Sequence, residues 1–289
     1  MPSTIDLRRR IRSVKSTQQI TKAMKMVAAA KLRRAQERMM AARPYSAALR
    51  QVLASMSTRV DMNQHPLLQE REQENKVLLL IVTADRGLAG AFNTNVIRAA
   101  QNAIAEKAWP DVHLLPIGRK ALDFFKRRRW PILRQATGVY QALSLDTARD
   151  IAQGITNDFV SGEFDAVYII FNEFKSIIAQ RVTLDRILPL PREWSSEKPQ
   201  DATIDYLYEP GPEAILSDLL PKHIEFQLYR VLLESAAAEQ GARMTAMESA
   251  TKNASDMIGH LTLTYNRIRQ ASITKEIIEI VSGAAAAGH

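Results

Sequence analysis

Apolar residues recur at helical spacing through the last third of the chain, after Pro221, where no further proline occurs. Intervals of four and three residues alternate along one stripe, a pattern typical of a helix that keeps one face against a partner helix. The stripe comprises Ala254, Ile258, Leu261, Tyr265 and Ile268, and upstream Ile224, Leu228, Val231, Ser235, Ala238 and Ala242. Residues 221–289 are therefore predicted to form one long coiled-coil helix.

The first 59 residues show a similar pattern and supply the predicted partner helix. Pro44 predicts a kink, because its ring removes a hydrogen bond and clashes with the preceding turn. A second apolar stripe formed by Ile20, Met24 and Val27 predicts contact with more than one neighbour. If both helices join one middle domain, they must pair antiparallel. The main stripe consists of Ile11, Val14, Thr21, Ala28, Leu32, Ala35, Met39 and Ala42.

The middle of the chain, residues 76–190, is predicted to form a small doubly wound α/β (Rossmann-like) domain. The apolar run Lys76–Asp85 is typical of a strand buried on both faces of a parallel sheet. Strands and helices alternate after it, which favours this fold. Residues 57–75 are predicted to be a loop, and the proline-rich residues 191–220 a linker that includes a short candidate helix over 213–220. The predicted helices cover 92–107, 119–126 and 147–159, the strands 112–117 and 166–171, and the extended segments 131–133 and 177–188.

Composition limits the class of protein. With 289 residues and 46% hydrophobic content, the chain has room for one compact domain and two long helices. It contains no run of about 18 uncharged apolar residues, so no transmembrane span is predicted, and neither a secretory signal nor a presequence is expected. The absence of cysteine excludes disulfides and thiolate metal sites and favours a reducing compartment.

Positive charge is concentrated near the start of the chain. Residues 1–60 carry 14 Lys or Arg against Asp6 and Glu37, while the rest carries 25 basic and 29 acidic residues. This bias indicates an acidic partner, which is nucleic acid, anionic lipid or a protein surface. Equally, much of it fits the solvated outer face of a coiled coil. Few hydroxyl or aromatic side chains accompany the cations, so nucleic acid has little support.

The turn after the first strand is the candidate nucleotide site, and a third hypothesis makes the chain a nucleotide-handling enzyme. Gly87 and Gly90 give GxxG, without the third glycine of a dinucleotide fingerprint or the lysine of a phosphate loop. A tight turn that lets a helix pack closely explains both glycines and is favoured.

Other candidate chemistry is weak. The five histidines show no spacing typical of metal ligands. Asp146 and Asp150 beside Arg149 are more typical of surface charge than of an acid–base pair. The basic run 126–129, flanked by Phe124, Phe125 and Trp130, resembles nucleic-acid binders but equally suits a helix C-terminus. No catalytic, cofactor-binding or metal-binding residue is predicted.

Three segments together resemble the gamma subunit of F-type ATP synthases. They are ITKAMKMVAAAK at 20–31, ADRGLAGAFN at 84–93 and RQASITKEIIEIVSGAAA at 269–286. The resemblance covers essentially the whole chain in the family's order. It implies an antiparallel coiled coil with an α/β domain at its foot, acting as a non-catalytic rotor that couples ion-driven rotation to ATP synthesis or hydrolysis. A basic coiled-coil nucleic-acid-binding protein is the alternative.

The same resemblance implies the partners. One copy would stand inside a ring of three alpha and three beta subunits, with the epsilon subunit alongside and its foot on the membrane c-ring. No cofactor and no nucleic acid is expected. The location would be the cytoplasmic side of a bacterial cell membrane, as a peripheral subunit, with proton or sodium coupling left open.

Nine residues are carried over by motif as partner contacts. Met24 and Lys25 are expected to face an acidic segment of the beta subunits, and Arg269 and Gln270 a beta-subunit loop, with Arg267 and Arg86 as further polar contacts. Simple coiled-coil packing remains an alternative for Ser272 and Thr274. The chloroplast dithiol insertion is missing, which argues against redox control, and the ending AlaGlyHis is idiosyncratic. The apolar tip expected inside a hydrophobic collar comprises Ile277, Ile280, Val281 and the alanine run 284–287.

Overall fold

The computed structural model describes residues 3–57, 65–190 and 211–287. The chain divides into two compact units, which we call the coil unit (Met1–Ala28 with Met244–His289) and the sheet unit (Ala29–Arg243). Helices α1 (Thr4–Ser57) and α5 (Pro212–Ala287) each contribute residues to both units. Over the described ranges, no helix combines the length and the apolarity that crossing a membrane requires.

The sheet unit contains a four-stranded sheet with the order β2-β1-β3-β4. Strand β1 pairs in parallel with β2 and β3, whereas β4 pairs antiparallel with β3. The strands are β1 (Lys76–Val82), β2 (Asp111–Ile117), β3 (Ala166–Phe174) and β4 (Gln180–Leu188), and the short helices are α2 (Phe92–Lys107), α3 (Arg119–Arg127) and α4 (Leu145–Val160).

Both faces of this sheet are covered, which confirms the doubly wound prediction. On β1, Val77, Leu79 and Ile81 pack in one cluster with α2 and α3. Leu78, Leu80 and Val82 lie on the other face of β1 and pack in a second cluster with α4, α1 and α5. Each of these side chains is fully buried and contributes about 1.5–3 kcal/mol relative to exposure. The apolar residues of β1 are therefore continuous because the side chains on both of its faces are buried.

Side-chain caps set the ends of several elements and explain small differences from the prediction. Strand β1 ends at Val82. The next polar side chains bind the start of α3 instead: Thr83 Oγ1 accepts a hydrogen bond from Ala121 N (2.9 Å), and Asp85 Oδ1 accepts one from Arg119 N (3.0 Å). Helix α4 begins at Leu145, ahead of the predicted Thr147, because Ser144 Oγ caps it by accepting from Thr147 N (3.3 Å). The predicted extended segment 131–133 forms only an isolated bridge, Leu114 to Ile132.

The loop predicted over 57–75 is only partly described, but its second half is anchored to the sheet. Leu67 and Leu68 are buried in a short 3₁₀ turn. Glu74 accepts hydrogen bonds from Tyr168 OH (2.9 Å) and from Trp109 Nε1 (3.3 Å). Burial, together with the bond to Glu74, raises the pKa of Tyr168 to about 12. The segment therefore packs as an ordered edge of the sheet unit.

Helix α5 begins at Pro212, so the prediction that a linker extends to residue 220 is wrong at its end. The rest of that linker, 191–210, lies outside the described residues. Leu216 and Leu220 are buried and extend the apolar stripe upstream of Ile224 at four-residue spacing. Their burial offsets the ~3 kcal/mol that Pro221 costs inside a helix. Helix α1 likewise runs through Pro44.

In the coil unit the two helices pair antiparallel, as predicted. Arg8 Nη2 donates to Tyr265 OH (2.7 Å), Thr21 Oγ1 lies 2.8 Å from Thr251 Oγ1, and Lys25 Nζ lies 2.7 Å from Glu248 Oε1. As the residue number increases along α1, the residue number of the contacting α5 side chain decreases, which shows that the helices are antiparallel. The hydroxyl pair sits in an otherwise apolar stripe, where a polar contact favours one register over its neighbours.

Candidate partner-binding surfaces

The glycine turn after β1 is packed against α5 inside the sheet unit. Leu88 and Gly90 adopt positive φ values of 62° and 55°, which reverse the chain tightly. Arg243 Nη2 donates to Gly87 O (3.2 Å), and Ala89 and its neighbour Phe92 share an apolar cluster with α5. Doubly wound folds bind ligands at the carboxyl ends of their strands, and here α5 packs against that edge. The turn is therefore explained by helix packing.

Two polar contacts that the sequence analysis missed secure α5 at this edge, Arg243 with Gly87 O and Ser235 with Tyr140, and Glu239 of the same helix neutralises Arg243. Glu239 is only 6% exposed and pairs with Arg243 at 2.6 Å. Burial raises the pKa of Glu239, and the Arg243 guanidinium opposes that shift. Tyr140 OH donates to Ser235 Oγ (3.2 Å), and burial raises the pKa of Tyr140. The Glu239–Arg243 spacing of one helical turn was the available signal, but it is equally common on exposed helix faces.

Lys25 and Met24 lie half-buried where α1 meets α5 in the coil unit. The Lys25 side chain is 34% exposed and its charge is shared with Glu248 of the same chain. The uncompensated cations on this helix lie further towards its start. Arg9, Arg10, Arg12, Lys15 and Lys22 are exposed and form no ion pair with any described residue.

Arg267, Arg269 and Gln270 are all exposed on α5 in the coil unit. They lie close to Tyr265, which the Arg8 guanidinium approaches from α1, 5.7 Å from the ring centroid. Arg269 is about 32 Å along the helix from Glu248 at ~1.5 Å per residue, so this group and Lys25 form separate surfaces. Arg86 is exposed in the sheet unit, in the turn described above.

Beyond Arg269, α5 carries large apolar side chains that face solvent. Every described residue from Arg269 to Ser282 is exposed. Ile277, Ile280 and Val281 are 55%, 71% and 62% exposed, and Ile273 and Ile278 are exposed as well. The side chains of the alanine run lie outside the described residues. Contiguous exposed apolar surface of this kind marks an interaction site.

The basic run 126–129 at the end of α3 is exposed, but its aromatic neighbours serve packing. Phe125 is fully buried and meets Trp130 edge to face at 6.2 Å. The Arg128 guanidinium lies 3.6 Å over the Phe124 ring. These rings are thus engaged within the sheet unit, which supports the helix-end interpretation.

Asp146 and Asp150 also behave as surface charge. Asp146 pairs with Arg149 at 2.8 Å, and Arg149 reaches Glu225 of α5 at 3.2 Å. Asp150 is exposed on the same helix. The cluster joins α4 to α5 electrostatically and resembles no acid–base pair.

Comparison with known proteins gives consistent matches along the chain. A family model described as ATP synthase matches residues 3–287. The ATP synthase gamma chain of Chlorobaculum tepidum is 50% identical over 289 residues, covering 98% of each chain. A chain of the Tetrahymena thermophila mitochondrial ATP synthase central stalk and c-ring matches with a TM-score of 0.62 and 27% identity, covering 80% of this chain and 99% of that one. A chain of the Euglena gracilis mitochondrial ATP synthase matches in fold with a TM-score of 0.70 and 22% identity, covering 98% and 94%.

Proposed function

This chain belongs to the ATP synthase gamma chain family, and from that premise we propose that it is the central-stalk rotor subunit of an F-type ATP synthase. It is a non-catalytic subunit that couples ion-driven rotation to conformational change in the catalytic subunits. Nothing in the comparisons supports the nucleic-acid alternative. The observation that carries the proposal is the exposed apolar end of α5, which continues past the helix pair.

The two faces of the coil unit differ in chemistry, and this difference suits a rotor. Exposed cations lie on α1, whereas at the same level of the pair α5 exposes the apolar side chains of Met257 and Leu263. A shaft with unequal faces cannot make the same contacts with three surrounding catalytic subunits at once. Each subunit is therefore held in a different state, and turning the shaft exchanges those states.

We assign the exposed surfaces to partners accordingly. Arg269 and Gln270 contact a beta-subunit loop, and Met24 and Lys25 face an acidic segment of the beta subunits. Arg267 and Arg86 make further polar contacts near the ring. Because Glu248 already neutralises part of the Lys25 charge, Lys25 contributes less to this attraction than Arg9 and Arg10. The apolar tip of Ile277, Ile280 and Val281 turns inside a hydrophobic collar, where it has few ion pairs to break.

The proposed assembly contains one copy of this chain, three alpha and three beta subunits, the epsilon subunit and the membrane c-ring. It lies on the cytoplasmic side of the cell membrane. The domain arrangement also remains a proposal: residues 1–59 and 221–289 as the coiled-coil segments and 76–190 as the α/β domain, with the linker ending before Pro212.

Co-expression with alpha and beta subunits tests this function. We expect this chain to co-purify at one copy per three alpha and three beta subunits, and the complex to hydrolyse ATP while the chain rotates. ATP hydrolysis by the isolated chain would contradict the non-catalytic role. Steeply salt-dependent DNA binding without co-purification would favour the alternative.

Arg269→Ala is expected to leave folding intact, since the side chain is exposed, and to lower ATP synthesis by about tenfold to a hundredfold. The loss corresponds to a hydrogen bond between charged groups, about 1.5–3 kcal/mol. ATP synthesis in vesicles containing the complete complex is the measurement. Arg127→Ala, an exposed arginine on α3, is the matched control and should change nothing. Normal synthesis by the Arg269 variant removes this residue from the mechanism.

A further inference from the structure

Phe174 lies where three parts of the sheet unit meet. It is the last residue of β3. Its side chain packs against a cluster of Leu32 and Ala35 from α1 with Ala237 from α5. It also packs against the cluster that joins the glycine turn to Ala238 of α5. One aromatic ring therefore contacts both long helices and the loop edge of the sheet.

The turn after Phe174 is closed by side-chain hydrogen bonds and lies close against α5. Gln180 Nε2 donates to Ser176 O (3.3 Å) and Ile177 O (2.9 Å), which closes the turn between β3 and β4. A methyl group on Gly241 would lie 3.4 Å from both Phe174 Cε2 and Ile177 O. A methyl group would just fit at this position, whereas a larger side chain would meet the turn.

For α1 this contact is a second attachment to the sheet, whereas α5 is held at the same edge by Arg243 and Ala238 as well. The first lies in the main core, where Leu49, Leu53 and Met56 of α1 pack with α5 and the central strands. Ala35 is about 21 Å along α1 from Leu49 at ~1.5 Å per residue. Two attachments separated along a pair of helices resist twisting and tilting, whereas a single one allows the pair to pivot.

We propose that Phe174 is a positioning residue that locks both helices to the α/β sheet, so that torque passes between the sheet and the helix pair without slip. The inference rests on the proposed rotor function and adds to it the point of mechanical attachment. The small residues Ala35, Ala237 and Ala238 allow the ring to enter between the helices, and bulkier residues there would force it out.

The test measures torsional stiffness in the assembled complex, with the alpha and beta ring immobilised, a bead on the α/β domain and the rotor stalled. Phe174→Ala is expected to leave the ATP hydrolysis rate unchanged and to lower stiffness roughly twofold, because a cavity replaces one of the two attachments of α1. Fewer ions should be pumped per ATP hydrolysed in vesicles. Phe174→Leu, which keeps an apolar side chain, should recover most of the stiffness.

Phe124→Ala is the matched control, since this half-buried ring packs in a cluster that contains no described residue of α1 or α5. It should keep wild-type stiffness. Gly241→Val provides an independent test without a cavity, because the added side chain pushes the turn off α5, and it should also lower stiffness. Wild-type stiffness in both the Phe174→Ala and Gly241→Val complexes overturns the proposal, as does an equal loss in the control. If the wild-type chain does not rotate at all, the rotor function itself is wrong.

Discussion

Gly118→Ala is expected to lower the free energy of unfolding by about 4 kcal/mol or more, enough to unfold many domains. Gly118 has a φ of 98°, and a methyl group there would lie 2.0 Å from Thr83 O and 2.7 Å from Thr83 C. Both contacts are with backbone atoms of the strand end, which cannot rotate away. Relief would require moving β1 away from the start of α3, at the centre of the sheet unit. Urea denaturation followed by circular dichroism measures the loss.

Gly162→Ala is the matched control for this prediction. Gly162 also has a positive φ, 78°, but a methyl group there would meet nothing within 4 Å. The free energy of unfolding of this variant should fall by only about 1–2 kcal/mol, which is the cost of left-handed backbone for a residue with a Cβ atom. Equal losses at the two positions would show that backbone conformation, and not the contact with Thr83, determines the need for glycine.

Ala254→Asp is expected to separate the two helices of the coil unit. Ala254 is 8% exposed and lies on the stripe of α5 that faces α1. A carboxylate there is buried without a partner, which costs about 3–5 kcal/mol. The pairing rests on few large side chains, so this cost exceeds what the neighbouring contacts supply. Hydrogen exchange over residues 5–25 should accelerate strongly, and assembly with the alpha and beta ring should fail.

Asn253→Asp introduces the same charge one residue earlier, on the exposed face of α5. It should leave hydrogen exchange and assembly at wild-type levels. Protected amides in the Ala254 variant would mean that α5 rotates to expose residue 254, and the pairing described for the coil unit would then be wrong.

Most of the helices were predictable because a helix with one buried face repeats apolar residues at intervals of three and four. The predicted stripe of α1 includes Ala28, Leu32 and Ala35, and all three are buried. Helix α2 has the predicted bounds, since its apolar face and flanking turns are local features. The second stripe of α1 is a different case. Ile20 and Val27 remain exposed in this chain, so the predicted additional neighbours stay a prediction.

The motifs identified which residues belong to the candidate surfaces, but not whether each side chain is exposed or paired within the chain. The exposed state of Arg269 and of the apolar tip agrees with contact with partners, but exposure alone does not identify a partner. The internal pairing of Lys25 with Glu248 was not predictable, because the two residues are more than two hundred positions apart and only the register of the helices joins them.

By itself the sequence determined the two long helices, the alternating α/β middle and the family, since each of these depends on local spacing and composition. Only the tertiary structure decided that α5 starts at Pro212, that Arg243 and Ala238 occupy the edge beside the glycine turn, and that Phe174 joins three elements. The physical reason is that such features depend on contacts between segments distant in the chain, whose energies outweigh local preferences and leave no periodic signal.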